Sequence, residues 1–269
     1  MKKNKLSLLE TLIKAVWQSQ LILLLTTSSS WAFSITHDLV VHIGIFDASR
    51  TSFEYGLSDN DYYVKSTVKT NGFFNTVYPF EAIYSTTGKI KDKQLNATSY
   101  KYQSKSRFNR RSKELIYDKS GKPIYEISSK NNNEKKKTIT QPKDANGTTD
   151  LQTVFAEMTK QYNKVKFCDS KMEVFDGKRR YNVIFKDEGK DTLEKSDHSP
   201  YFGTAAKCSI YVDKLLETGD DFLWQTTNEK PIYFWIMEQN NKPFIARIHV
   251  KETPLGALWA YTKKITIKD

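Results

Sequence analysis

The residues able to do chemistry are few. The chain has two cysteines, Cys168 and Cys208, and four histidines, His37, His42, His198 and His249. No histidine is spaced with another histidine or with a cysteine as a zinc site requires. His42 and His249 fall in strand-like runs and could meet across a sheet, where a structural role is the expectation. Asp59-x-Asp61 offers two carboxylates in the manner of a weak calcium loop, but Ser58-Asp59-Asn60-Asp61 is also what a tight turn needs. Asp220-Asp221 reads the same way. A Gly-x-Ser-x-Gly elbow, a His-Glu-x-x-His pair and a glycine-rich phosphate loop are all missing. The expectation is therefore a non-enzymatic protein with no catalytic residues, no metal site and no cofactor.

Two groups of residues point to binding. The first is basic: Lys101, Lys105, Arg107, Arg110, Arg111 and Lys113, interleaved with Tyr100, Tyr102 and Phe108. Such a mixture pairs with phosphates and stacks on bases, and the bland alternative is a solvated strand face. Lys105, Arg107, Arg110 and Arg111 are the expected contacts to an anionic partner. The second group is aromatic: Phe222, Trp224, Tyr233, Phe234, Trp235, Phe244, Trp259 and Tyr261. In a curved sheet these rings would line a cavity for an acyl chain or similar hydrophobic ligand, with Trp224, Phe234, Trp235 and Trp259 the ones expected to touch it. The same rings would serve any β core.

The elements that position these groups begin with an export segment. Lys2, Lys3 and Lys5 are followed by the apolar run Leu21-Ile22-Leu23-Leu24-Leu25, the small residues Thr26 to Ser30, and Trp31-Ala32-Phe33-Ser34. Basic, apolar, then small is the order of a cleaved secretory signal. Ala32 and Ser34 fit the small-x-small rule, giving a signal over 1–34, with cleavage after Ala32 the alternative. Gln18, Ser19 and Gln20 interrupt the apolar run, which falls short of the about 20 residues a spanning helix needs. No stable transmembrane anchor is expected, and no cysteine lies near the cleavage point to take a lipid. Setting aside the four lysines and one glutamate of residues 1–34 lowers the net charge from +11 to +8. That balance favours anionic surfaces, and export makes intracellular nucleic acid a poor partner. It also places Cys168 and Cys208 in an oxidising compartment, periplasmic or extracellular, where such a pair closes. A Cys-x-x-Cys redox spacing is absent.

The mature chain, 35–269, reads as one β-rich domain. Apolar and alternating runs from Leu39–Phe46 to Ala257–Ile267 give about twelve strands. They are separated by turns at Asn71-Gly72, Thr87-Gly88-Lys89, Lys119–Lys122, Asp176-Gly177, Asn240-Asn241 and Thr253–Gly256. One helix is clear: Asp150 is a good N-cap, and Leu151, Val154, Phe155, Met158 and Tyr162 follow at helical spacing. The polar segment near 130–147 reads as a mobile loop, for want of apolar area to offset its ordering. Strands without alternating helices exclude a parallel sheet. An antiparallel sheet curled into an open barrel or half-barrel with one helix is the expected fold, a β-sandwich the alternative.

Three stretches of this order carry a family resemblance. The first runs from Ile43-Gly44 through Tyr62–Ser66 and Gly72 to Tyr84–Ile90. The second is Thr149-Asp150-Leu151. The third is Cys168, Val174–Tyr181, Gly203, Ala205 and Cys208. Trp235-Ile236, Pro243 and Leu255-Gly256 also fit. The chain resembles the bacterial family called domain of unknown function (DUF) 3108, with one departure: Leu151 stands where the pattern has proline. The resemblance implies an exported envelope protein with a β-rich fold and no established activity.

Overall fold

The structure is a computed structural model that describes residues 33–138, 145, 147–177, 179–215 and 226–268. The expected signal lies almost wholly outside these residues. Among the described residues, fourteen strands and two helices follow one another in this order. Strands β1 (Phe33–Ile43), β2 (Phe46–Leu57) and β3 (Asp61–Thr70) lead to a six-residue helix α1 (Gly72–Val77). Then come β4 (Phe80–Lys91), β5 (Gln94–Ser106), β6 (Arg110–Tyr117), β7 (Pro123–Lys130) and β8 (Asn133–Thr138). Helix α2 (Leu151–Val165) precedes β9 (Ser170–Phe175), β10 (Arg180–Leu193), β11 (Gly203–Lys214), β12 (Ile232–Gln239), β13 (Lys242–Val250) and β14 (Leu258–Lys268).

All fourteen strands form one antiparallel sheet that does not close. It is two meanders, β1 to β8 and β9 to β14, joined where the first strand pairs with the last, from Ser34 opposite Lys268 to Ile43 opposite Leu258. Strands β8 and β9 are the edges. A twisted sheet this wide must curl. Helix α2 links the two edges in sequence and packs on β3, β4 and β5 from one half and on β9 and β13 from the other. The half-barrel is therefore wrapped around this helix. The β9 edge is partly covered by Thr149, which exchanges backbone hydrogen bonds with Glu173 and Phe175. The β8 edge presents Lys135, Lys136 and Lys137, all exposed, and such charges discourage edge-to-edge pairing. Among the described residues no helix is long and apolar enough to cross a membrane.

Several elements depart from the sequence reading. Residues 133–138, expected within the loop, form β8, because Asn131 and Asn132 both take positive φ and close a two-residue hairpin. Gly88 is not a turn; it lies inside β4 beside a bulge of β5, whose extra residue is Thr98. The turn falls at Asp92-Lys93, both at positive φ. Strand β10 continues to Leu193 through residues expected to be a connection. Leu151 points outward at 39% exposure, and the buried apolar face of α2 is Val154, Ala156, Met158 and Tyr162.

The expected disulfide is present. Cys168 and Cys208 are bonded, with Cα atoms 6.1 Å apart, and both are fully buried. The bridge ties the segment after α2 to β11 across the β9–β10 hairpin.

Candidate functional site

Helix α2 is fixed on the sheet through its N-terminus. The Asp150 carboxylate accepts from the backbone N–H of Gln152 (3.0 Å) and Thr153 (3.1 Å) and from the hydroxyls of Thr86 and Thr153, both at 2.7 Å. Tyr62 and Thr153 share a further hydroxyl bond of 2.8 Å. Burial raises the Asp150 carboxyl above its ordinary value, against the lowering effect of these bonds. The cluster anchors α2 to β3 and β4, and it is saturated by its own partners.

The helix does not fill the concave face. Beside it lies a cavity of about 440 Å³, within the roughly 300–1,000 Å³ range of small-ligand sites. Strand β1 contributes His37, Leu39 and Val41, which share one face by alternation. Strands β2 and β3 add Thr51, Phe53, Ser66 and Val68; β12 and β13 add Phe234, Ile236, Phe244 and Ile248. The helix supplies Gln152, Phe155, Met158 and Tyr162. Among the described residues, no Asp, Glu, Lys or Arg lines it. One end is closed by buried His37 and Gln152; Val41, Ser49 and Leu258 at the other end are half-buried. Burial lowers the His37 imidazole to about 4, so it is neutral at physiological pH.

Residues 33–260 match the family described as "Protein of unknown function (DUF3108)". The chain belongs to the DUF3108 family. No curated protein matches it. Among solved structures, it is similar to the "Beta-barrel-like Protein of Domain of Unknown Function DUF1849 from Brucella abortus". That match has 10% identity and a TM-score of 0.48, and covers 88% of this chain and 98% of the other.

The structure divides the aromatic residues singled out in the DUF3108 chain. Phe234 lines the cavity. Trp235 and Trp259 do not; they stand on the opposite face of the sheet, stacked at 5.9 Å. Trp235 donates its indole N–H to Asp191 (3.0 Å), and Lys207 lies over its ring. Trp224, with Phe222 and Asp220-Asp221, is outside the described residues. His42 and His249 do not meet, because Trp259 lies between them in register and stacks on His249 at 3.8 Å. His42 instead faces His198 at 4.3 Å, and burial followed by His198 lowers its pKa.

The basic residues are also divided. Lys105, Arg110 and Arg111 line a surface groove of about 460 Å³ together with Glu81, Ser104, Ser112 and Ser129. Lys105 is directly opposite Arg110 across β5 and β6. Arg107 is turned away and donates to the Thr76 carbonyl at 3.1 Å.

Sequence reasoning missed His37 and Gln152. The signal for His37 was its place in Ile35-x-His37-x-Leu39-x-Val41, which puts it on the inward face. For Gln152 it was the spacing to Phe155, Thr159 and Tyr162, the stripe of α2 that faces the cavity.

Proposed function

We propose that this protein is an exported, non-enzymatic binding protein that holds a lipid or similar hydrophobic ligand between α2 and the sheet. One observation carries the reading: an apolar cavity of about 440 Å³ with no charged residue in its wall among the described residues. The interior of a domain of this size ordinarily packs without such a space. Export rests on the basic-apolar-small order of residues 1–34 and is compatible with the buried disulfide. Strand β1 begins at Phe33, so cleavage after Ala32 would leave it whole, whereas cleavage after Ser34 would remove its first two residues.

The test is binding of the neutral fluorescent probe N-phenyl-1-naphthylamine, with mass spectrometry of organic extracts of the purified protein. The expected result is saturable probe binding, competed by co-purified lipid, and lost in Ser49→Trp, which plugs the half-buried mouth. A protein that neither binds the probe nor carries extractable lipid sinks the proposal. A second reading is favoured by the convergence of Lys105, Arg110 and Arg111: docking on an anionic envelope surface. It requires that binding to phosphatidylglycerol vesicles fall with salt and be abolished in the Arg110→Glu, Arg111→Glu double variant; equal binding to neutral vesicles excludes it.

A further inference from the structure

The closed end of the cavity carries two buried polar atoms with no partner. They are Nε2 of His37 and Nε2 of Gln152, on residues only 3% and 7% exposed. Native structures rarely leave such groups unmade, and here two stand on the wall of one apolar space. Their placement follows from register. His37 is opposite Phe53, and Phe53 is opposite Ser66, so the three form one row on the concave face. The Ser66 hydroxyl donates to Gln152 Oε1 at 2.9 Å. That bond engages the amide oxygen and leaves the amide nitrogen as the free donor. The His37 ring is held edge-on between Phe53 (5.9 Å) and Phe244 (6.4 Å).

We propose that the ligand is an acyl chain whose polar end is an uncharged carbonyl, an ester or an amide, bound at this closed end by Gln152 and His37. This rests on reading the cavity as a hydrophobic-ligand site. The walls decide between head groups. A plain hydrocarbon would leave both nitrogens unmade. A carboxylate or phosphate would enter a space with no lysine, no arginine and a neutral histidine, and a bare buried charge is strongly disfavoured. A carbonyl oxygen accepts from the Gln152 N–H, and from His37 when its proton is on Nε2, without bringing a charge. The chain then runs along β1 from His37 toward Val41, about 13 Å at the rise of a strand, to the half-buried mouth.

The experiment displaces N-phenyl-1-naphthylamine from the full-length mature protein with three twelve-carbon competitors: methyl dodecanoate, methyl dodecyl ether and dodecanoate at pH 8. The ether keeps the chain and loses the carbonyl. Wild type is expected to prefer the ester over the ether by about 25-fold, as two net hydrogen bonds of ordinary strength require, and to bind dodecanoate weakest. Gln152→Leu and His37→Phe should each reduce ester affinity by about fivefold more than they change ether affinity, the ether serving as the reference for any general change in the cavity wall. Equal affinity for ester and ether in wild type overturns the inference, as does tighter binding of dodecanoate, or a loss in the variants that falls equally on ester and ether. In each of those cases the probe still binds and the hydrophobic-ligand reading survives. Absence of probe binding in wild type freed of extractable lipid overturns that reading and this inference with it.

Discussion

His37 makes stability depend on pH in a way that one substitution should remove. The imidazole is 3% exposed, and its ordinary value of 6.5 is lowered to about 4 by burial. The difference corresponds to ~3 kcal/mol. The sign follows from which state takes the proton first. As pH falls below 6.5 the unfolded chain protonates His37 and the folded one does not, so folding loses stability. The contribution is whole above about pH 6.5, is lost as pH falls toward 4, and stays lost below that. Nothing else in the cavity wall titrates near neutrality. His37→Phe keeps a ring between Phe53 and Phe244 and removes the proton site. At pH 7.5 the variant should match the wild type or exceed it by ~1 kcal/mol, since the unpartnered Nε2 is gone. Urea unfolding of both proteins from pH 7.5 to 4 then isolates the effect. Carboxylates common to the two, including Asp150 with its raised pKa and opposite sign, cancel in the difference. The gap should widen in favour of the variant by ~3 kcal/mol. Parallel stability curves would refute the reasoning, and so would an NMR titration placing His37 near 6.5.

Two further outcomes follow from the packing. Replacing Cys168 and Cys208 by serine opens a loop with a sequence separation of 40, and should lower the urea-derived stability by ~4 kcal/mol; a change under ~1 kcal/mol would mean that the closed loop hardly restrains the unfolded chain. Gly88→Ala puts a methyl group into the Tyr62 ring and the Asn96 carbonyl oxygen, and should cost ~1–3 kcal/mol of stability in the same assay; a neutral result would show that the β4–β5 bulge relaxes freely.

Gly88 also shows where the sequence stops being legible. A glycine between Thr87 and Lys89 has the chemistry of a turn, yet this one is a close-approach position: the Tyr62 ring lies where a Cβ would be. Only the neighbouring strand makes that visible. The true turn, Asp92-Lys93, has no glycine to announce it. Asn240-Asn241 was readable because asparagine adopts positive φ with little strain, and both residues do. The Asp150 cap was readable for the same local reason. Phe234 and Trp235 were harder. They are adjacent, so alternation sends one ring to the cavity and the other to the opposite face, and the register shift at this point leaves Ala246 as an extra residue that changes the phase of the neighbouring β13. Composition cannot supply that phase.

The cavity itself has a cause that is neither local nor a matter of phase. The chain places α2, the longer of the two helices among the described residues, between the strands that become the two edges of the sheet. The helix must therefore cross the concave face to get from β8 to β9. It has 15 residues, about 22 Å of length and ~10 Å of width. The sheet it crosses has fourteen strands, about 65 Å of width at strand spacing before curling. One helix can line such a trough but cannot fill it. What it leaves uncovered are the inner faces of the strands around the β1–β14 seam, where the two meanders meet. Those faces carry Leu39, Val41, Phe234, Ile248 and Ala260, residues that water disfavours. A sheet of this order crossed by α2 either collapses further, which the buried anchor at Asp150 resists, or keeps an apolar space. Shortening α2 by one turn at its C-terminal end should enlarge that space, whereas bulkier side chains at Ala260 should close it. The size of the cavity is thus set by the width of the sheet relative to this helix.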